Sequence, residues 1–194
     1  MKTTHRSNPA AFSLIEMLAV ITIIVILATI VIGALGFVSD KQARSKALVQ
    51  TGLLAKAIED YRLDFNKYPP TPNSATGEGN SHFLFEALYW DSDADGKGAA
   101  VGIGAGDEDQ KIYLPELDPA TNKQGWTSGT ASAKTKILDP WGKEYRYRSA
   151  EDASAKTNTS TQNPGFDLWS AGKDGKSKPE SPKDKSNRDD IKCP

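Results

Sequence analysis

From Phe12 to Val38 the chain carries no Lys, Arg or His and one charged residue, Glu16. A run this long exceeds the roughly 20 residues that a helix needs to cross the hydrocarbon core of a bilayer. It is therefore a membrane span, and everything else must fold outside it. Glu16 does not suit such a segment. A charged group deep in a bilayer costs on the order of 3 kcal/mol or more unless it is paired, and the run itself offers no cation. The simplest partner is the α-amine freed by cutting the chain just before Phe12, presented by a neighbouring copy.

The ends of the run show what kind of span it is. A secretory signal has an apolar core of about 7–15 residues followed by its cleavage site; here the run is longer and the cut precedes it. Residues 1–11 carry Lys2 and Arg6 and no acid, so this leader stays cytoplasmic and the C-terminal part is exported. A plain single-span anchor explains all of this except Glu16. The chain has 194 residues and a net charge of −1, which suits one domain plus an appendage and offers no bulk attraction for nucleic acid. A single cysteine, Cys193, cannot form an internal disulfide, so packing must hold the exported part together, with or without a metal. Cys193 itself reads as an exposed tail residue. With two histidines, one of them in the leader, the usual acid–base groups of an enzyme are missing.

Beyond Val38 no proline appears until Pro69, and Ala47, Thr51, Leu54, Ile58, Tyr61 and Phe65 recur at steps of four and three. That spacing predicts an apolar stripe on a helix continuing to about Asn66. Lys46, Gln50, Lys56, Glu59, Asp60 and Arg62 form the opposite face. Gly33 and Gly36 either loosen the apolar half or allow close helix packing. Pro69, Pro70 and Pro72 end the helix, and 73–80 reads as a loop. Residues 82–90 suit a second helix, with His82 at its surface. Residues 111–137 read as an insertion on the head surface, holding a possible third strand.

Asp139-Pro140-Trp141-Gly142 has the residues of a type I turn. It precedes Lys143–Arg148, a half-buried strand with Tyr145 and Tyr147 on one side, and 165–170 alternates similarly. The expected fold is α+β, a long helix packed on a small antiparallel sheet. Its divisions are a leader (1–11), an apolar helix (12–38), an amphipathic continuation (39–66), a loop-rich insertion (67–138) and a C-terminal part (139–194). Between the helix and the turn, Asp91-x-Asp93-x-Asp95-Gly96 matches the first half of a calcium loop, but the twelfth position is Gly102 where that loop needs Glu. A solvated acidic loop is the simpler reading, and a second calcium site at Asp91, Asp93 and Asp95 the bolder one.

A basic leader, a small residue, Phe12-Ser13-Leu14-Ile15-Glu16 and an apolar helix together resemble the N-terminal signal of type IV pilins and of the pseudopilins of type II secretion systems. The resemblance implies cleavage between Ala11 and Phe12 by a prepilin peptidase, N-methylation of Phe12, and use of Glu16 to set subunits in register within a filament. Ala11 departs from the glycine most common before the cut. Further on, Asp139-Pro140-Trp141-Gly142, an aromatic strand, Phe166-Asp167-Leu168-Trp169-Ser170-Ala171-Gly172-Lys173-Asp174-Gly175 and a loop closing on Asp189-Asp190-Ile191 are similar to the major pseudopilin of type II secretion.

That family's C-terminal loop binds one calcium ion. Carried over by position, Asp174 is the first carboxylate ligand, Asp189 or Asp190 closes the site, the Ala171 carbonyl is the backbone ligand and Ser177 a weaker one. The loop here is longer and more basic than the family's. The function so implied is structural and non-enzymatic: a homopolymeric periplasmic filament, working with minor pseudopilins, the prepilin peptidase and methyltransferase and an inner-membrane assembly platform, that moves folded proteins across the outer membrane. Before assembly the chain sits in inner-membrane lipid, N-terminus cytoplasmic and head periplasmic. The alternative is the major pilin of a surface type IV pilus, serving adhesion, motility or DNA uptake.

Overall fold

The computed structural model describes residues 13–72, 76–92, 111–129, 131–150 and 156–193, the side chains of 31–37 excepted. It divides between Lys41 and Gln42 into two units. A single helix, α1 (Leu14–Phe65), contributes to both.

In the first unit the apolar side chains from Leu14 to Ile30 are exposed, Leu14 by 84% and Ile30 by 65%. The hydroxyls on this stretch turn back on the helix, Thr22 Oγ1 donating to the Leu18 carbonyl at 2.8 Å and Thr29 Oγ1 to Ile26 at 2.7 Å. Neither needs water, which suits an apolar surrounding. The rest of the predicted span, with Gly33 and Gly36, falls in the stretch whose side chains lie outside the described residues. Among the described residues no helix is long and apolar enough to cross a membrane.

In the second unit the predicted stripe of α1 faces inward: Ala47, Thr51, Leu54, Ile58 and Tyr61 are buried and Phe65 packs on the same core. Asn66, at φ +53°, turns the chain out of the helix ahead of Pro69. The polar face needs one correction, because Gln50 is buried and accepts a hydrogen bond from the Tyr145 hydroxyl at 2.9 Å. A short helix, α2 (Ser81–Phe85), runs on into a π-helical turn over Glu86–Trp90 and adds Leu84, Phe85, Leu88 and Tyr89 to the core. His82 is half-buried, its Nδ1 2.7 Å from the Gly79 carbonyl.

The sheet has three antiparallel strands in the order β1 (Arg146–Ser149), β2 (Phe166–Ser170), β3 (Ile191–Lys192). Tyr147 pairs with Leu168 and Arg148 with Asp167, while Trp169 stands between Arg146 and Lys192. The third strand is therefore C-terminal. Among the described residues, 111–137 contribute to the sheet structure an isolated bridge between Thr127 and Ile137. They are not a surface insertion: Leu114, Leu117, Trp126 and Ile137 are all buried in the core, where a surface segment would hold polar side chains. The β1 strand is buried on both faces, since Arg146 and Arg148 are buried as well as Tyr147. Cys193 is likewise no free tail. Its amide donates to the Leu168 carbonyl at 2.9 Å and its side chain packs against the core.

The predicted turn forms, with Gly142 at φ +75° and its amide on the Asp139 carbonyl at 2.9 Å. Asp139 is buried; its Oδ1 accepts from the Trp141 and Lys143 amides and its Oδ2 from the Ser170 hydroxyl, which ties the turn to β2. Along the outer edge of β1 the amides of Tyr145, Tyr147 and Ser149 donate to Ile137 O, Gly77 O and Thr71 Oγ1.

Candidate functional site

Two places carry the residues singled out by sequence. At the start of α1, Ala11 and Phe12 lie outside the described residues, but Ser13 and Glu16 do not. The Ser13 amide donates to Glu16 Oε2 at 3.0 Å, and the Ser13 carbonyl accepts from the Glu16 amide at 3.0 Å. This is the glutamate half of a capping box. Within a single subunit the Glu16 carboxylate thus accepts a hydrogen bond from an amide that the helix leaves unpaired. The Ser-x-x-Glu spacing is the signal that would have revealed it.

The second place is the long connection from β2 to β3, residues 171–190. Gly172 starts it at φ +64°, and a Cβ there would lie 2.5 Å from the Asp189 carbonyl oxygen and 2.6 Å from its Oδ2. Only glycine lets the two ends of the loop come so close. Asp174 donates its amide to Asp189 Oδ2 at 3.0 Å, while its own Oδ1 accepts from the Lys176 amide at 2.7 Å. Asn187 closes the outer turn, receiving the Lys178 amide on Oδ1 and donating through Nδ2 to the Lys178 and Ser181 carbonyls. The Ser177 hydroxyl donates to Asp190 Oδ2 at 2.6 Å and accepts from Trp169 Nε1 at 3.0 Å.

The structure brings Asp189 against Gly172, next to Ala171, and Asp190 onto Ser177, and it turns the Asp174 carboxylate onto the Lys176 amide. Among the described residues no three His, Cys, Asp or Glu side chains gather as a metal site. One observation nonetheless favours a hard cation: Asp190 Oδ1 is buried and has no hydrogen-bond partner, a state that normally costs free energy. Burial, together with the charge of Asp189, pushes the Asp190 carboxyl above the usual carboxylate range, although the Ser177 hydrogen bond opposes this. The donor set is oxygen throughout, as calcium prefers. In the acidic stretch, Asp93 and Asp95 lie outside the described residues, while Asp91 is buried beside the π-helical turn.

Sequence reasoning missed the ionic layer beneath this loop. Arg148 pairs with Asp167 at 2.5 Å, both nearly inaccessible, and the Gln162 and Asn163 amides complete the carboxylate's partners. The alternation of Tyr145, Arg146, Tyr147 and Arg148 places both arginines on one face, across from Trp169 and Asp167, but nothing in the strand itself marks that face as covered.

Comparison with known proteins yields two family matches, the prokaryotic N-terminal methylation motif over residues 6–32 and the type II secretion system protein G family over 109–188. The chain is 27% identical over 175 residues to the type II secretion system core protein G of Escherichia coli K12, covering 90% of this chain and 88% of that one. It is 36% identical over 67 residues to the core protein G of Klebsiella michiganensis, covering 34% of this chain and 47% of that one. The chain thus resembles the type II secretion pseudopilins of the protein G type, by its start and by its C-terminal part.

The family these comparisons point to is a structural pseudopilin subunit, not an enzyme. The surface-pilus alternative is not favoured, since both relatives belong to secretion systems. The protein G match begins at residue 109, so the pseudopilin resemblance includes the segment around Leu114, Leu117 and Trp126 that the sequence alone read as a surface insertion. No solved structure gives a significant match to the chain.

Proposed function

We propose that this chain polymerises through α1 into a periplasmic filament that drives export of folded proteins across the outer membrane. The observation that carries the reading is the exposed apolar surface from Leu14 to Ile30, broken by one carboxylate at Glu16. Such a surface requires lipid before assembly and neighbouring helices after it. The prepilin peptidase cuts between Ala11 and Phe12, the new amine is methylated, and Glu16 exchanges its own Ser13 amide for the Phe12 amine of the neighbouring copy. The chain starts in the inner membrane with its N-terminus cytoplasmic, and the assembly platform and minor pseudopilins act on it there.

Intact-mass measurement of sheared surface material and of the envelope tests this. The expected species lacks residues 1–11, is heavier by one methyl group and stays with the envelope. Abundant processed chain in the sheared fraction would instead mean a surface pilus, and an uncut chain in both would reduce the motif to an anchor.

We further propose that one calcium ion binds the C-terminal loop at Asp189, Asp190 and the Ala171 carbonyl, with Asp174 joining by a side-chain rotation. The buried, unpartnered Asp190 Oδ1 supports this. The ion would neutralise two adjacent carboxylates and tie the loop's ends together. Calorimetric titration should give one site that Asp190→Asn abolishes; no heat in the wild type would refute it. A second ion at Asp91, Asp93 and Asp95 is the weaker proposal, tested by whether the titration shows a second site.

A further inference from the structure

The C-terminal loop already holds a cation supplied by the chain. Arg146 leaves β1 on the face away from α1, and its side chain is only 8% exposed. Its Nη1 donates to the Ser177 carbonyl at 3.3 Å and its Nη2 to the Gly175 carbonyl at 3.2 Å. Glu78 approaches Nη2 at 3.8 Å from the far side. The planar guanidinium can take two acceptors at once, which a lysine ammonium does not do with the same geometry. The strand neighbour of Arg146, Trp169, reaches the same loop through the Ser177 hydroxyl, and that hydroxyl binds Asp190. The loop's own lysines, Lys173, Lys176, Lys178, Lys183 and Lys185, are all exposed. The inward-facing cation is therefore the arginine.

We infer that Arg146 is the clamp of the C-terminal loop: its guanidinium binds the Gly175 and Ser177 carbonyls and holds the loop closed over the sheet without any metal. Neither carbonyl belongs to the calcium ligand set proposed above, so the guanidinium orders the loop at oxygens of its own. A buried guanidinium is stable only with such partners, so the loop and the arginine order each other. The inference stands apart from the calcium reading, because it concerns the loop's order in the absence of an ion.

Hydrogen exchange followed by mass spectrometry on the full chain in detergent, with EDTA throughout, tests it. In the wild type, the amides of Asp174, Lys176 and Lys178 should be protected. In Arg146→Gln they should exchange at least about tenfold faster, while those of Tyr145 and Tyr147 keep their protection. Arg146→Lys, which keeps the charge but not the fork, should fall between the two. Unprotected loop amides in the wild type under EDTA would overturn the inference, as would a loop in Arg146→Gln that exchanges within about twofold of wild type. Should Arg146→Gln unfold the sheet as well, the wild-type measurement and Arg146→Lys still decide the matter, since a lysine variant as well protected as wild type would remove the need for the fork.

Discussion

Single residues carry two separable jobs at the start of α1. Glu16 accepts the Ser13 amide within the subunit, and in the proposed filament its charge would pair with an amine. Glu16→Gln keeps an acceptor for the amide and loses the charge. It should insert and be processed normally, with helix content unchanged by circular dichroism, and yet fail to assemble; normal filaments from this variant would contradict the ion-pair role. At Gly172 a methyl group meets the Asp189 backbone and demands a left-handed φ from an L-residue. Gly172→Ala should destabilise the head by about 1–3 kcal/mol in urea titration. Arg148→Met should be more damaging, at about 3 kcal/mol or more, because it strands Asp167 as a buried charge with only its amide partners.

Among the elements, the turn at Asp139 offers a pH signature. Burial raises the Asp139 carboxyl above its usual 3.8, although its three hydrogen bonds pull the other way. The folded state therefore takes up a proton more readily than the unfolded chain. This group's stabilising contribution is full below the ordinary carboxylate value and is lost as pH rises through the raised folded value. Asp139→Asn should abolish the dependence, so the stability difference between wild type and variant should change across that window and be flat above it. A difference that is flat throughout would mean the carboxyl is not shifted.

The same turn, the helical stripe from Ala47 to Phe65 and the strand at 166–170 were all legible in the sequence, because each rests on spacing or on local residue chemistry. What was not legible depends on partners distant in the chain. Gln50 is polar and sits between buried positions, and only the Tyr145 hydroxyl, ninety-five residues away, makes its burial acceptable. Arg146 and Arg148 look like a solvent face until a loop after β2 folds back over them. Trp126 lies among Ser, Thr and Gly, a composition that suggests a surface loop, although the indole is 1% exposed. Of the candidate ligands, Asp189 and Asp190 come together as their adjacency suggests, whereas the backbone of the loop claims the Asp174 carboxylate.

Taken whole, the molecule joins a unit with an unburied apolar surface to a unit with a packed apolar core. If the first is lipid-embedded, alkaline carbonate should leave the chain in the membrane pellet and detergent should release it; release by carbonate alone would contradict the span. The second unit bears on how copies can associate. A small sheet with open edges invites strand-to-strand growth, the route to unregulated fibres. Here β3 is two residues long, and the outward amides of β1 at Tyr145, Tyr147 and Ser149 are already spent on Ile137, Gly77 and Thr71. The amides along the β1 edge are thus closed to another copy's strand. In the filament proposed above, growth would then fall to the helix, whose apolar surface a membrane can cover until assembly begins.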